Sequence, residues 1–327
     1  MIALREAMFY TNIGENVICN LCPHHCRLGE GQRGRCGARQ NIGGKLYSLN
    51  YERVTAYNYD PIEKKPLYHF YPGSTIFSFG SYGCNLGCDF CQNWQIVTDH
   101  NSFVEATTED ILDLAKVRGS IGIAYTYNEP TVFYEFVLDT ARKAREEGLF
   151  NVLVTNGYIN REPLEELLQY IDAMNIDLKS FTNEFYQSIC RGTLEPVLET
   201  IRLAAKKTHV ELTTLIIDGR NSSKKEMEEL SGFIASIDPG IPFHLSRYYP
   251  NYRMKDPPTS VYTLTELKKT AEKKLKHVYV GNVLGYDNDT YCPECRKRLI
   301  GRFPQIRIEG MVEGRCSQCG YKVPGRF

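Results

Sequence analysis

Between Ser81 and Trp94 stand Cys84, Cys88 and Cys91 in the spacing C-x3-C-x2-C, close enough for three thiolates to meet on one inorganic group. A cubane [4Fe-4S] cluster normally takes four cysteine ligands, so a loop offering three leaves one iron open, and an open iron is where chemistry can occur. A zinc site or a set of buried thiols is the plainer alternative. Gly83 and Gly87 let the backbone wrap tightly around such a group, and the apolar run from Thr75 to Phe79 predicts a strand that delivers the loop.

Two further cysteine sets have ligand spacing. Cys19, Cys22, Cys26 and Cys36 form C-x2-C-x3-C-x9-C, with His24 and His25 between them. Four soft ligands can close a tetrahedral zinc site or hold a second iron-sulfur cluster, and spacing separates the two poorly; a structural zinc is the preferred expectation. Cys292, Cys295, Cys316 and Cys319 form two C-x2-C knuckles, which match a zinc ribbon whose hairpin would come from Leu299 to Phe303 and Gln305 to Ile308.

The chain has 327 residues, 42% of them hydrophobic, enough for one barrel-sized core with small additions. Lys plus Arg and Asp plus Glu are 39 each, so there is no basic field to hold phosphate backbones and nucleic acid is a poor partner. No run suits a membrane span, and Met1 to Glu6 lacks a leader pattern, so the expected location is cytoplasmic with no membrane partner. In a reducing compartment, twelve cysteines point to metal rather than to disulfides.

After the cysteine loop, β-rich runs alternate with amphipathic stretches. The runs are 121–127, 151–155, 173–178, 210–217, 241–246 and 278–280; the helices expected between them are 109–117, 131–147, 163–170, a pair over 183–206, 223–235 and 264–275. Such alternation predicts an α/β fold with a parallel sheet, either barrel-like or doubly wound. Pro61, Pro66 and Pro72 argue against helix from Tyr47 to Pro72, which would cover one end of the sheet. The expected organisation is a Cys-rich segment over 1–71, a core over 72–288 and a ribbon-like module over 289–327.

The C-x3-C-x2-C loop, with Phe90 just before its third cysteine, resembles the signature of the radical S-adenosylmethionine (AdoMet) enzymes. The resemblance implies a partial (β/α)6 barrel and a [4Fe-4S] cluster that chelates AdoMet and cleaves it reductively to a 5′-deoxyadenosyl radical. It also implies roles at the strand ends, where ligands of parallel α/β folds bind. Glu129 is similar in place to the acid of a Gly-Gly-Glu-type motif that meets the AdoMet amino group; Asn128 beside it could instead cap the next helix. Thr155 and Asn156 resemble the Thr-Asn-Gly of pyruvate formate-lyase activating enzymes, although Asn-Gly is also a common turn. Asp177 and Lys179 resemble the Asp-x-Lys of the same enzymes, with a surface ion pair as the alternative. Asp218 departs from the Pro-Gly-x-Asn of relatives. Cys190 is read as a buried thiol or as a catalytic hydrogen donor or acceptor, and Arg191 as a carboxylate or helix-end contact. Arg247, with Tyr248 and Tyr249, would anchor a small anionic substrate, whereas His244 would be a satisfied core histidine.

Taken with Tyr127 to Thr131, Tyr279 to Val283 and the terminal knuckles, the chain is similar to the AmmeMemoRadiSam-system radical AdoMet enzymes. That implies an enzyme like the pyruvate formate-lyase activating enzymes, with a flavodoxin- or ferredoxin-type electron donor and Memo-type and AMMECR-type proteins as partners. Hydrogen abstraction from a small molecule is the leading expectation. An activase that installs a glycyl radical on a partner enzyme and a non-catalytic metal scaffold are the alternatives.

Overall fold

Eight strands share one sheet in the computed structural model, which describes residues 4–327. Met1, Ile2 and Ala3, which open the stretch read for a leader, lie outside the described residues. In chain order the strands are β1 (Ala56–Pro61), β2 (Thr75–Gly80), β3 (Ser120–Tyr125), β4 (Phe150–Thr155), β5 (Ala173–Asp177), β6 (His209–Ile216), β7 (Phe243–Arg247) and β8 (Val278–Gly281). β1 runs antiparallel on β2, and β2 to β8 are parallel, each beside its predecessor. A doubly wound sheet reverses its order part-way; this one does not, so every strand end opens on one side in sequence order.

Six helices carry the crossovers: α1 (Thr108–Ala115), α2 (Tyr134–Glu146), α3 (Arg161–Leu167), α4 (Glu195–Ala204), α5 (Lys224–Ile237) and α6 (Val261–Ala271). Their starts are fixed locally, by a capping box between Thr107 and Asp110 for α1 and by the Ser223 and Ser260 hydroxyls for α5 and α6. α4 buries Val197, Leu198, Ile201 and Ala204, the stripe of a helix lying on a sheet.

Two helical expectations change. The helix expected over 131–147 is split into a 3-10 turn (Pro130–Phe133) and α2, and its cap is the Glu129 side chain, not Asn128. In the pair expected over 183–206, the first member is a short turn (Asn183–Phe185) passing into a π-helical turn (Tyr186–Cys190) that ends at Arg191 in the left-handed region.

The segment expected over 1–71 is not self-contained. Its last strand is β1, the edge of the main sheet. Val17, Leu28 and Leu46, from two small antiparallel sheets, and Leu21 from the turn between, share one core with Phe79, Tyr125 and Phe136. Residues 62–71 then cover one end of the main sheet, as expected: Ile62, Leu67 and Phe70 pack on Ile76, Val152 and Ala173, and the Tyr68 and His69 N–H groups donate to buried Glu211. His244 is buried and meets the same carboxylate at 2.7 Å, a satisfied core histidine.

Residues from 290 on have their own small core, Leu299, Ile300, Met311 and Val323 among it. The expected hairpin is present, with Arg298–Gly301 antiparallel to Arg307–Ile308. Among the described residues no helix is long and apolar enough to cross a membrane.

Candidate active site

A cavity of about 600 Å³ lies at the carboxyl ends of the parallel strands, and Cys84, Cys88 and Cys91 line it together with Asn128, Glu129, Thr155, Asn156, Asp177 and Lys179. Residues more than ninety positions apart meet there because consecutive strands of a parallel sheet end on the same side.

The cysteine loop is held on every side. Gly80, where β2 ends, has no room for a side chain: a Cβ would stand 2.2 Å from the Thr126 carbonyl oxygen. Asn128 accepts from the Ser81 N–H through Oδ1 (2.9 Å) and donates through Nδ2 to the Tyr82 and Gly83 carbonyls (3.1 and 3.0 Å). Its side chain is thus spent on positioning the loop. From the other side, the N–H groups of Gly87 and Asp89 donate to the Cys190 and Ile189 carbonyls, and Arg191 forks onto Asp89 at 3.1 and 3.2 Å. Arg191 therefore clamps the loop through Nη2, and it does not line the cavity.

At the loop's first cysteine the Leu86 N–H and Asn156 Nδ2 donate to Cys84 Sγ at 3.4 and 3.7 Å, the kind of contact that stabilises a cluster thiolate. Glu129 Oε1 accepts from Thr131 N–H, Thr131 Oγ1 and Thr155 Oγ1 (3.0, 2.7 and 2.7 Å), and Oε2 from Asn156 N–H (2.8 Å). A carboxylate has about four acceptor positions, two on each oxygen, so Oε2 keeps one. Burial raises the Glu129 pKa, partly offset by those donors, and among the described residues no cationic side chain pairs with it. Asp177 and Lys179 pair at 3.0 Å on the cavity wall, the lysine side chain 12% and the aspartate 38% exposed. Burial works against the ammonium, but Asp177 beside it holds its pKa well above the usual value.

The radical SAM superfamily matches residues 79–234, from the end of β2 into α5. An uncharacterized protein of Methanocaldococcus jannaschii, MJ0808, is 44% identical over 98% of this chain and 99% of its own length. Pyruvate formate-lyase 1-activating enzyme of Escherichia coli is 28% identical over 50% of this chain and 69% of its own. Among solved structures, Streptococcus suis SuiB bound to S-adenosylmethionine superposes with a TM-score of 0.52 at 14% identity, over 67% of this chain and 55% of that one.

The chain belongs to the radical SAM superfamily.

The superfamily implies a [4Fe-4S] cluster and AdoMet, and the residues present fit both. Three thiols face one cavity with donors aimed at the first, and a buried carboxylate without a cation keeps an acceptor position for an ammonium group. Cys84, Cys88 and Cys91 would hold the cluster, and Glu129 the amino group.

Other expected residues of this radical SAM site lie elsewhere. Cys190 is fully buried beside the cysteine loop, its carbonyl accepting from the Gly87 N–H, and it is not on the cavity wall. Arg247 is also off the wall, donating Nε to the Thr259 carbonyl (2.7 Å) and Nη1 to the Tyr249 hydroxyl (3.0 Å). Tyr248 is buried with its hydroxyl on the Met254 carbonyl, and Tyr249 is exposed. Neither Cys190 nor Arg247, expected to act on the substrate, lines the cavity; at the β7 end Ser246 turns inward and Arg247 outward, following the alternation of a strand.

The sequence reading missed the outer wall, where Arg35, Trp94, His100, Tyr252 and Arg253 stand. Trp94 stacks on Tyr252 at 5.2 Å, and the Arg253 and Met254 N–H groups donate to the Asp89 carbonyl, so the 251–254 turn leans on the cysteine loop. Only the Pro250-Asn251 pair marked a turn there. Asp218, outside the relatives' pattern, has a local use: its Oδ2 accepts from the Ser260 N–H at the start of α6.

Of the remaining cysteines, Cys292, Cys295, Cys316 and Cys319 draw together with all four sulfurs within 4.8 Å, at 3.5 Å for the pairs 292–319 and 295–316. Cys19, Cys22, Cys26 and Cys36 line a second, smaller cavity beside the first.

Proposed function

We propose that the protein is a radical AdoMet enzyme of the AmmeMemoRadiSam-system subgroup, which abstracts hydrogen from a small anionic substrate inside a partial (β/α)6 barrel. The observation that carries the proposal is the convergence of the three loop cysteines with Glu129, Thr155, Asn156, Asp177 and Lys179 on one cavity. A metal scaffold without catalysis would have no use for charged and hydrogen-bonding side chains at successive strand ends. Bound together there, cluster and AdoMet supply a strong abstractor of hydrogen atoms.

The chain's own groups do the rest. Glu129 and the Asp177–Lys179 pair offer both signs of charge to an amino acid-like cofactor, and Thr155 ties Glu129 to the β4 end. Trp94 and Tyr252 stack on one another and give the outer wall an aromatic face. The outer part of the wall carries Arg253 and Arg35, and we assign the substrate anchor to Arg253 in place of Arg247. We further propose zinc in the C-terminal set, whose sulfur spacing suits one tetrahedral ion. A cytoplasmic setting, a flavodoxin- or ferredoxin-type donor and Memo-type and AMMECR-type partners complete the proposal.

A second reading, an activase that places a glycyl radical on a partner enzyme, is favoured by the likeness to the E. coli activating enzyme. One experiment separates the two. Reduced, anaerobically reconstituted protein is given AdoMet and deuterated small carboxylates or phosphates, and 5′-deoxyadenosine is analysed for deuterium. Deuterium from a small molecule, with KM raised about tenfold in Arg253→Ala, a loss of about 1.4 kcal/mol, supports the first reading. Deuterium only from a partner protein's glycine supports the second. A Cys84→Ala/Cys88→Ala/Cys91→Ala variant that still made 5′-deoxyadenosine would overturn both.

A further inference from the structure

The N-terminal cysteines were expected to bind zinc, and the positions of their sulfurs speak against it. We propose that Cys19, Cys22, Cys26 and Cys36 hold a second iron-sulfur cubane, closed by four thiolates, directly beside the AdoMet-binding loop. A tetrahedral zinc with bonds of about 2.3 Å brings its sulfurs to about 3.8 Å from one another. The C-terminal set has that spacing. Among the described residues it is the only group of three or more Cys, His or carboxylate side chains whose ligand atoms all lie within 4.8 Å. The N-terminal set is not drawn together in this way, and neither are Cys84, Cys88 and Cys91.

The N-terminal sulfurs nevertheless converge. All four line one cavity, closed on other sides by Leu21 and Val132, and a Cβ on Gly34 would touch Cys36 Sγ and Cys26 Sγ at 3.7 and 3.9 Å. The backbone that carries them is tied down by antiparallel pairing of Cys19 with Tyr10 and by the Cys19 N–H on the Cys26 carbonyl. Sulfurs held apart around a common space need a body with bulk. Two or more zinc ions would need bridging thiolates beyond the four present, whereas a cubane brings its own sulfide and takes one cysteine per iron.

The surroundings suit an anionic group. Arg39 is buried, pairs with Glu135, and its Nη1 lies between the Met8 carbonyl (2.8 Å) and Cys19 Sγ (3.9 Å); its Nε has no partner among the described residues. The two sites share a thin wall. Cys36 lines both cavities, and Asn85, next to Cys84, lines the N-terminal one while its carbonyl meets His24 Nε2 at 2.7 Å. With each iron capped by a thiolate, the second cluster has no position for AdoMet and can exchange only an electron.

The test is elemental analysis and EPR of the full chain after anaerobic reconstitution. Wild-type protein should hold about eight irons, and the Cys84→Ala/Cys88→Ala/Cys91→Ala variant about four, with a reduced signal that AdoMet leaves unchanged. Conversely, Cys22→Ala/Cys26→Ala should fall to about four irons and keep the AdoMet-responsive signal. The triple variant with no iron, whether it carried about two zinc ions per chain or no extra metal, would overturn the inference. So would a Cys22→Ala/Cys26→Ala variant with undiminished iron, which serves if the triple variant does not fold. Failure of the proposed function would show differently, as a wild-type signal insensitive to AdoMet with the triple variant's iron still in place.

Discussion

Glu129 shows how one side chain can serve fold and chemistry together. Four donors fix its carboxylate, yet burial without a cation leaves it short of positive charge. Glu129→Gln sets an amide NH₂ against those donors, so stability should fall by about 1–3 kcal/mol, read from the urea midpoint. AdoMet affinity should drop at least about tenfold in equilibrium dialysis, equivalent to about 1.4 kcal/mol. Unchanged affinity would remove Glu129 from the cofactor site. His277, remote from the cavity, governs a pH response. Burial lowers its pKa to about 4, so the native state refuses a proton that the unfolded chain takes up below its ordinary value of 6.5. Stability from this group is therefore complete above that value and is lost as pH falls toward 4. Glu211 shifts the other way from burial alone: burial opposes its charge, but His209 and His244 hold its pKa well below 4.5, so its contribution is lost only at lower pH. The urea midpoint should fall between pH 7 and pH 5 in wild-type protein and fall less in His277→Phe; equal slopes would refute the assignment.

The cysteine loop is an element without secondary structure of its own, so its shape comes from what grips it. Asn128, at the exit of β3, supplies three hydrogen bonds to residues 81–83, and Arg191, beyond β5, supplies two to Asp89. Asn128→Ala leaves a buried N–H and two carbonyls without those partners, each a cost of about 1–3 kcal/mol when unmet. The strands themselves do not depend on it. The expected result is protein with an unchanged far-ultraviolet circular dichroism spectrum whose reconstituted iron content falls and whose AdoMet-responsive EPR signal weakens. Full iron content in that variant would show that the loop holds its form unaided.

At the scale of the molecule, the C-terminal module meets the segment 62–71 over one end of the sheet. The His69 carbonyl accepts from the Arg326 N–H and the Arg326 carbonyl from the Tyr71 N–H, while Arg302 donates to the Tyr68 carbonyl. The C-terminal core is small, so the zinc proposed for its four cysteines should hold up more than the knuckles alone. Removing that metal with a chelator should lower the melting temperature. It should also speed amide exchange at residues 68–71 as well as beyond 290, because the strap over the sheet loses its outer partner. Exchange confined to the terminal module would mean that the strap is anchored by Glu211 alone.

Much of this was legible in the sequence, for a physical reason: cysteine spacing, strand and helix periodicity and turn residues are local. The C-x3-C-x2-C loop after an apolar strand, the alternation that yields β2 to β8 and the paired knuckles could all be read without a fold, whereas Glu129 was singled out only through the family resemblance. What needed tertiary structure was everything set by direction or by distance across the chain. Whether Arg247 or Ser246 faces inward depends on where β7 begins, a one-residue question that composition does not answer. Asn128, Arg191 and Cys190 carry the right chemistry for a site, but neighbours far away in sequence put them to work on the loop. Above all, four cysteines in a row of suitable gaps could mean one ion or a cluster. The gaps limit how far apart the sulfurs can reach, and only the packed backbone decides how far apart they stand.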